Sequence, residues 1–194
     1  MQEQTATLLE KERIRQDALR RRATIQETAR IAASMDIVAY LEELDIEPGQ
    51  VVAGFWPIRD EIDPRPLMNA IRLRGHRLAL PIVAHPTLLF RELLPDAALV
   101  KAGFGTMGPG PDVPEIRPDV LLMPLAAYDQ RGERIGYGKG HYDRAIAALE
   151  EKGPVKRIGL AFSLQEVPEV PTEAYDKRLH QILTEQGVMR FEER

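Results

Sequence analysis

Apolar residues recur at close to a helical period through the first part of the chain. Between about Thr7 and Leu44 the sequence is rich in Leu, Ala, Glu, Arg and Gln and has no Pro or Gly. Ile14, Ala18, Ile25, Ala29 and Ala32 fall on spacings that bring them to one helix face. One or two helices are expected there, ended by Pro48-Gly49. The pattern then changes. Val51–Trp56 (VVAGFW) is a short apolar run stopped by Pro57 and reads as a buried strand. Pro64–Arg74 predicts a helix, with proline in its first turn and Gly75 beyond its end. Arg77–Val83 and Thr87–Leu93 read as strands in a tight, antiparallel connection. Gly103–Pro118 is a Gly/Pro-rich loop, either a flap or a long surface connection. The nearly continuous apolar run Asp119–Asp129 predicts a central strand. A helix over Tyr142–Glu151, a strand over Arg157–Phe162 and a closing pair, HQILTE and VMRF, complete the series.

Strands alternating with helices imply an α/β fold: an open mixed sheet, parallel at its centre and flanked by helices. The N-terminal helices, residues 1–46, form an extension expected to pack on the sheet core. At 194 residues the chain is expected to be one domain. Its ligand should sit beyond the carboxyl ends of the central strands.

Composition narrows the function. A formal net charge of -4 argues against a general nucleic-acid binder, which needs a basic surplus to neutralise phosphates. With no cysteine, thiolate metal sites, disulfides and cysteine nucleophiles are excluded. No apolar run approaches the roughly 20 residues of a membrane span, and the N-terminus lacks the apolar core of a signal peptide. A soluble cytoplasmic protein is expected. Nothing in the sequence specifies an oligomeric state.

The chemically unusual stretch is Asp129–Arg144, DQRGERIGYGKGHYDR. Gly136, Gly138 and Gly140 alternate ahead of a helix, allowing a ligand to approach the main chain closely. A helix N-terminus adds free N–H groups and a positive dipole end, and Arg134 and Lys139 add full charges. The combination suits a polyphosphate. It matches neither the dinucleotide fingerprint, since position 141 is His, nor the P-loop spacing. Upstream, Lys11, Arg15 and Arg22 lie within about 40° of one another on a helix, forming either a phosphate-reaching stripe or a solvated charged face.

The longer string PLAAYDQRGERIGYGKGHYDR is similar to the signature of the 5-formyltetrahydrofolate cyclo-ligase family. Lys11 and Arg15, the loop RDEID with Glu61, and RIGLAF, VPEVPTEAYD and ILTEQGV extend the resemblance over almost the whole chain. The resemblance implies MgATP-dependent conversion of 5-formyltetrahydrofolate to 5,10-methenyltetrahydrofolate. The formyl oxygen would attack the γ-phosphate, N10 would then close the ring, and phosphate would leave. It assigns ATP to Lys11, Arg15, Arg134, Ile135 and the run Gly136, Tyr137, Gly138, Lys139, Gly140, His141 and Tyr142. The folate would meet Trp56 and Glu61 and share Tyr137, Gly138, Lys139, Gly140 and His141. Asp143 and Asp176 are the expected magnesium ligands, and Lys139 the candidate catalytic cation on the transferring phosphoryl group. The expected partners are ATP and 5-formyltetrahydrofolate, with the polyglutamate length left open, and neither nucleic acid nor membrane. His141 and His180 depart from the family pattern, replacing an aromatic and an acidic residue respectively. Two alternatives stay open on the residues alone. One is an anion-binding sugar-phosphate isomerase or CoA-transferase-like protein without ATP hydrolysis. The other is a binding module using Arg20–Arg22 for RNA or a partner protein.

Overall fold

The structure, a computed structural model, describes residues 2–103 and 105–192, with side chains from residue 5. Its centre is a seven-stranded sheet. In chain order the strands are β1 (Val52–Ala53), β2 (Leu78–Ala84), β3 (Thr87–Glu92), β6 (Val120–Pro124), β9 (Lys156–Leu160), β10 (Gln181–Thr184) and β11 (Gly187–Arg190). They lie in the order β11-β10-β9-β6-β1-β2-β3. The pairings from β10 through β9, β6 and β1 to β2 are parallel, and β11 and β3 add antiparallel edges. The expected mixed, centrally parallel sheet is therefore what forms.

Both faces are covered, as the apolar central strands require. Val52, Leu80, Val120, Leu122 and Ile158 pack on one side with Ile37, Leu41, Leu44, Leu67 and Ile71. These last come from the 3-10 segment Ile37–Leu44 and from α3 (Arg65–Leu73). On the other face Ala53, Leu121 and Met123 pack with Ala145 and Ile146 of α4 (His141–Glu150). Gly159 in β9 is a consequence of this packing. A methyl group there would stand 2.7–2.9 Å from Leu125, Leu179 and Ile182, three core side chains. Gly159→Ala is expected to destabilise the fold by about 1–3 kcal/mol, seen as a lower urea midpoint.

The N-terminal periodic stretch is not one helix. α1 (Gln2–Ala23) stops where the Thr24 hydroxyl takes the Arg21 carbonyl at 2.7 Å and the β-branched pair Thr24-Ile25 follows. α2 (Glu27–Asp36) then runs into the 3-10 segment. The expected strand Val51–Trp56 keeps only Val52–Ala53 in the ladder, because Phe55 and Trp56 leave it to line a cavity ahead of Pro57.

The run Asp119–Asp129 is also broken. The buried Gln165 amide donates to the carbonyls of Leu125 and Ala126 at 2.8 and 3.0 Å, turning the chain out of β6. It re-forms as a small hairpin, β7 (Ala127–Tyr128) with β8 (Arg134–Ile135). The glycine-rich loop thus follows this hairpin rather than the central strand itself. Part of Gly103–Pro118 is ordered as well: β4 (Leu99–Gly103) pairs with β5 (Thr106–Pro109) as a second hairpin. Phe104, Met1 and residues 193–194 lie outside the described residues.

Candidate active site

α1 carries few apolar anchors. Ile14 and Ala18 are buried against Ala126, Ala127, Ile135, Val167 and Val170, around the β7–β8 hairpin. The rest of its seat is polar, and the basic stripe supplies it. The Arg15 Nε–H donates to the Gly136 carbonyl at 2.7 Å, and Arg22 donates to the Tyr137 hydroxyl at 3.0 Å. Lys11 Nζ donates to Glu173 Oε2 at 2.8 Å and Asp176 Oδ2 at 2.5 Å. The helix is therefore stitched to the glycine-rich loop and to the Glu173–Asp176 turn. Burial pulls the Lys11 amine down, but the hydrogen bonds of Asp176 and Glu173 outweigh it and hold its pKa above the ordinary value. The Arg20–Arg22 run is split: Arg22 is buried, whereas Arg20 stays outside and pairs with Asp17.

The glycines of the loop have separate reasons. Gly138 sits at φ +81°, and a side chain there would meet the Arg15 guanidinium at about 3.3 Å. Gly140, at φ +62°, caps α4, whose first turn, His141–Arg144, faces the cavity. Arg144 ties this corner to the β2–β3 connection, donating to the Pro86 carbonyl at 2.6 Å and to the Lys139 carbonyl. Arg134 donates to Asp143 Oδ1 at 2.7 Å, and the Lys177 N–H donates to the same oxygen at 3.1 Å. Asp143 and the Asp176-Lys177 turn are thus neighbours.

Beside the loop, Glu61 is buried, and burial raises its pKa against the pull of Tyr137, the Ile58 N–H and Arg22. Its two oxygens accept from the Tyr137 hydroxyl and, at 2.8 Å, from the Ile58 N–H. Trp56 stands beside it on the cavity wall, with the Arg65 guanidinium 5.0 Å from its ring centroid. The space between the walls is one cavity of about 1440 Å³. That is larger than the roughly 300–1,000 Å³ of a pocket for one small ligand, and leaves room for two.

A model of the 5-formyltetrahydrofolate cyclo-ligase family matches residues 8–185. The chain belongs to this family. The 5-formyltetrahydrofolate cyclo-ligase of Haemophilus influenzae is 33% identical over 140 residues, covering 68% of this chain and 74% of the relative. That of Mycolicibacterium smegmatis is 27% identical over 183 residues, covering 90% and 93%. The solved structure of Aquifex aeolicus 5,10-methenyltetrahydrofolate synthetase superposes with a TM-score of 0.79 at 28% identity, over 95% of this chain and 94% of that one. Membership replaces the isomerase and CoA-transferase-like alternative.

In this cyclo-ligase family member every site residue expected from sequence lines the same cavity: Lys11 and Arg15 from α1, Trp56 and Glu61 after β1, Arg134–Asp143, and Asp176. Sequence reasoning left out Glu173 as the second partner of Lys11, and Asp60 and Arg144 as clamps. Glu173 carried one signal, standing three residues before Asp176 in EAYD, and Arg144 one, closing the glycine-rich string. His141 packs edge-on against His85, centroids 5.4 Å apart. Burial, with Arg144, His85 and Lys139 nearby, lowers its pKa and keeps it neutral at pH 7. Among the described residues no group of three or more His, Asp or Glu side chains is placed to hold a metal ion, and no helix is long and apolar enough to cross a membrane.

Proposed function

We propose that this chain closes 5-formyltetrahydrofolate to 5,10-methenyltetrahydrofolate at the expense of ATP, releasing ADP and phosphate. The observation that carries the proposal is the position of the glycine-rich loop. It lines one cavity together with Lys11 and Arg15 from α1 and with Trp56 and Glu61 after β1. Hydrogen bonds tie it to both groups, Arg15 to the Gly136 carbonyl and the Tyr137 hydroxyl to Glu61. A phosphoryl donor held by the cations and a flat ring held by the aromatic and the carboxylate would meet at Gly136–His141. The reaction needs positioning and charge neutralisation more than a protein nucleophile, and the cavity wall offers cations and loop N–H groups.

Lys11 and Arg15 would orient the triphosphate from the α1 side, and Arg134 from the β8 side. Glu61 would accept the ring N–H groups of the pterin on the lone pairs that Tyr137 and Ile58 leave open, with Trp56 as a flat apolar wall. Asp143 and Asp176 are the carboxylates that would hold magnesium. Both are hard oxygen donors on the cavity wall, and two carboxylates completed by phosphate oxygens and waters suit that ion. When bound, magnesium would neutralise charge on the phosphate oxygens. Each carboxylate is balanced by a basic side chain, Arg134 on Asp143 and Lys11 on Asp176, so the arrangement holds together without it.

The test is direct. Mixed with MgATP and 5-formyltetrahydrofolate, the protein should raise the absorbance of methenyltetrahydrofolate in step with phosphate release. Omitting either substrate or chelating magnesium should stop both signals. Folded protein that yields phosphate without the ring-closed product, or no product at all, would overturn the proposal.

A further inference from the structure

Arg22 is among the largest fully buried side chains in the described chain, 1% exposed, and it is not one of the residues lining the cavity. A buried guanidinium is costly unless its N–H groups are used. In Arg22 the two terminal nitrogens are used, while the buried Nε has no hydrogen-bond partner among the described residues. One terminal nitrogen donates to Asp60 Oδ1 at 2.9 Å and the other to the Tyr137 hydroxyl at 3.0 Å. That second bond has a direction. Arg22 can only donate, so the Tyr137 oxygen accepts and its single proton is sent onward, to Glu61 Oε1. The Ile58 N–H fixes the other oxygen of Glu61 at 2.8 Å. Three segments are thereby joined: α1, the Ile58–Glu61 turn and the glycine-rich loop.

We propose that Arg22 is a positioning residue for folate recognition, acting through Tyr137. It orients the tyrosine hydroxyl as a donor to Glu61, presenting that carboxylate ionised and in one orientation to the pterin. The inference rests on Glu61 being the folate-side carboxylate. It explains why a full positive charge is buried away from both substrates. It also explains why the loop position between Gly136 and Gly138 is a tyrosine, whose hydroxyl reaches across to Glu61.

The groups facing Glu61 are Arg22 from α1, Tyr137 from the loop, Tyr142 from α4 and Asp60 beside it, with Arg30 of α2 near Asp60. Among them Arg22 is the cation that lowers the Glu61 pKa, against burial and Asp60, which raise it. A carboxylate must be ionised to accept from two pterin N–H groups. Folate kcat/KM therefore falls as pH drops through the Glu61 pKa, and losing Arg22 should move that acid limb to higher pH.

Steady-state kinetics from about pH 5 to 9 test this in four variants, Arg22→Lys, Arg22→Met, Tyr137→Phe and Glu61→Gln. Arg22→Met should raise KM for 5-formyltetrahydrofolate roughly ten- to hundredfold, the size of a lost hydrogen bond to a charged group, with a much smaller change in KM for ATP. Its acid limb should move upward, and Arg22→Lys should return the limb toward the wild-type position. Tyr137→Phe, in a partly buried loop residue, should raise folate KM and move the acid limb in the same direction even where Arg22→Met fails to fold. Adding Arg22→Met to Tyr137→Phe should cost little more than Tyr137→Phe alone, because both act on one path. Equal effects on the two KM values, an unmoved acid limb in Arg22→Met or Tyr137→Phe, or fully multiplicative effects in the double variant would overturn the inference. If Glu61→Gln leaves folate KM unchanged, the assignment of Glu61 to folate fails and the inference falls with it. If Glu61→Gln raises folate KM while the Arg22 and Tyr137 variants do not, only the role of Arg22 is lost.

Discussion

Lys139→Ala is expected to lower kcat by about 10²- to 10³-fold, the usual effect of removing one charge-stabilising group from a transition state. KM for ATP and for 5-formyltetrahydrofolate should change little, so that kcat and kcat/KM fall together. The reason lies in how the loop is held. Lys139 stands between Gly138 and Gly140, both at positive φ, and its carbonyl accepts from Arg144. Arg15 clamps the preceding turn through the Gly136 carbonyl. The backbone of Lys139 is thus set by its neighbours, and its exposed side chain is free to serve the ligand. Truncation should remove a charge without reshaping the loop, and the thermal midpoint should stay near that of the wild type. Lys139→Arg, which keeps the charge but changes reach and donor geometry, should recover part of the rate. A kcat for Lys139→Ala within twofold of wild type would remove Lys139 from the chemistry.

That separation of backbone from side chain also shows what could be seen in the sequence. The anion-binding character of GYGKGHYD was legible because glycine spacing and nearby cations are local signals. So was the sheet: its central strands are apolar runs bounded by turn residues, and α3 begins beside Pro64 and ends just before Gly75. What was not legible depends on partners far away in the chain. Gln165 breaks the run after Pro124 from forty positions off. No periodicity in Asp119–Asp129 announces a break that a distant amide imposes. The stripe Lys11, Arg15 and Arg22 was visible as a helix face, but its partners were not. A basic stripe beside Glu12 and Asp17 looks the same whether it faces water or a cavity. Burial decides the matter: Lys11 is 7% exposed and Arg22 1%, whereas Arg13 and Arg20 on other faces remain in solvent, paired within the helix.

Asp129 completes the picture and supplies the largest expected effect on stability. It opens the glycine-rich string, but it is fully buried and sits at the far end of the β7–β8 hairpin. Its Oδ1 accepts from the N–H groups of Arg131 and Glu133 at 2.9 and 3.1 Å. Its Oδ2 accepts from the Val170 N–H at 2.9 Å and from the Arg131 guanidinium at 2.7 and 3.0 Å. One carboxylate therefore folds the hairpin turn and binds it to the Val167–Val170 segment, against which α1 buries Ile14 and Ala18. Alanine would leave three main-chain donors without this acceptor. Asparagine would turn an NH₂ toward N–H groups on one side. Either change is expected to cost about 3–5 kcal/mol. For a chain of this size that lowers the thermal midpoint by roughly 10 °C. Activity should fall with it even below the melt, because Arg134 and the loop hang from the same hairpin, and KM for ATP should rise. Thermal unfolding and ATP saturation curves for Asp129→Asn check both halves. A midpoint within about 3 °C of wild type, less than 1–2 kcal/mol for a chain of this length, would mean that water replaces the carboxylate at little cost. The hairpin would then be held chiefly by Ile135 and its apolar neighbours.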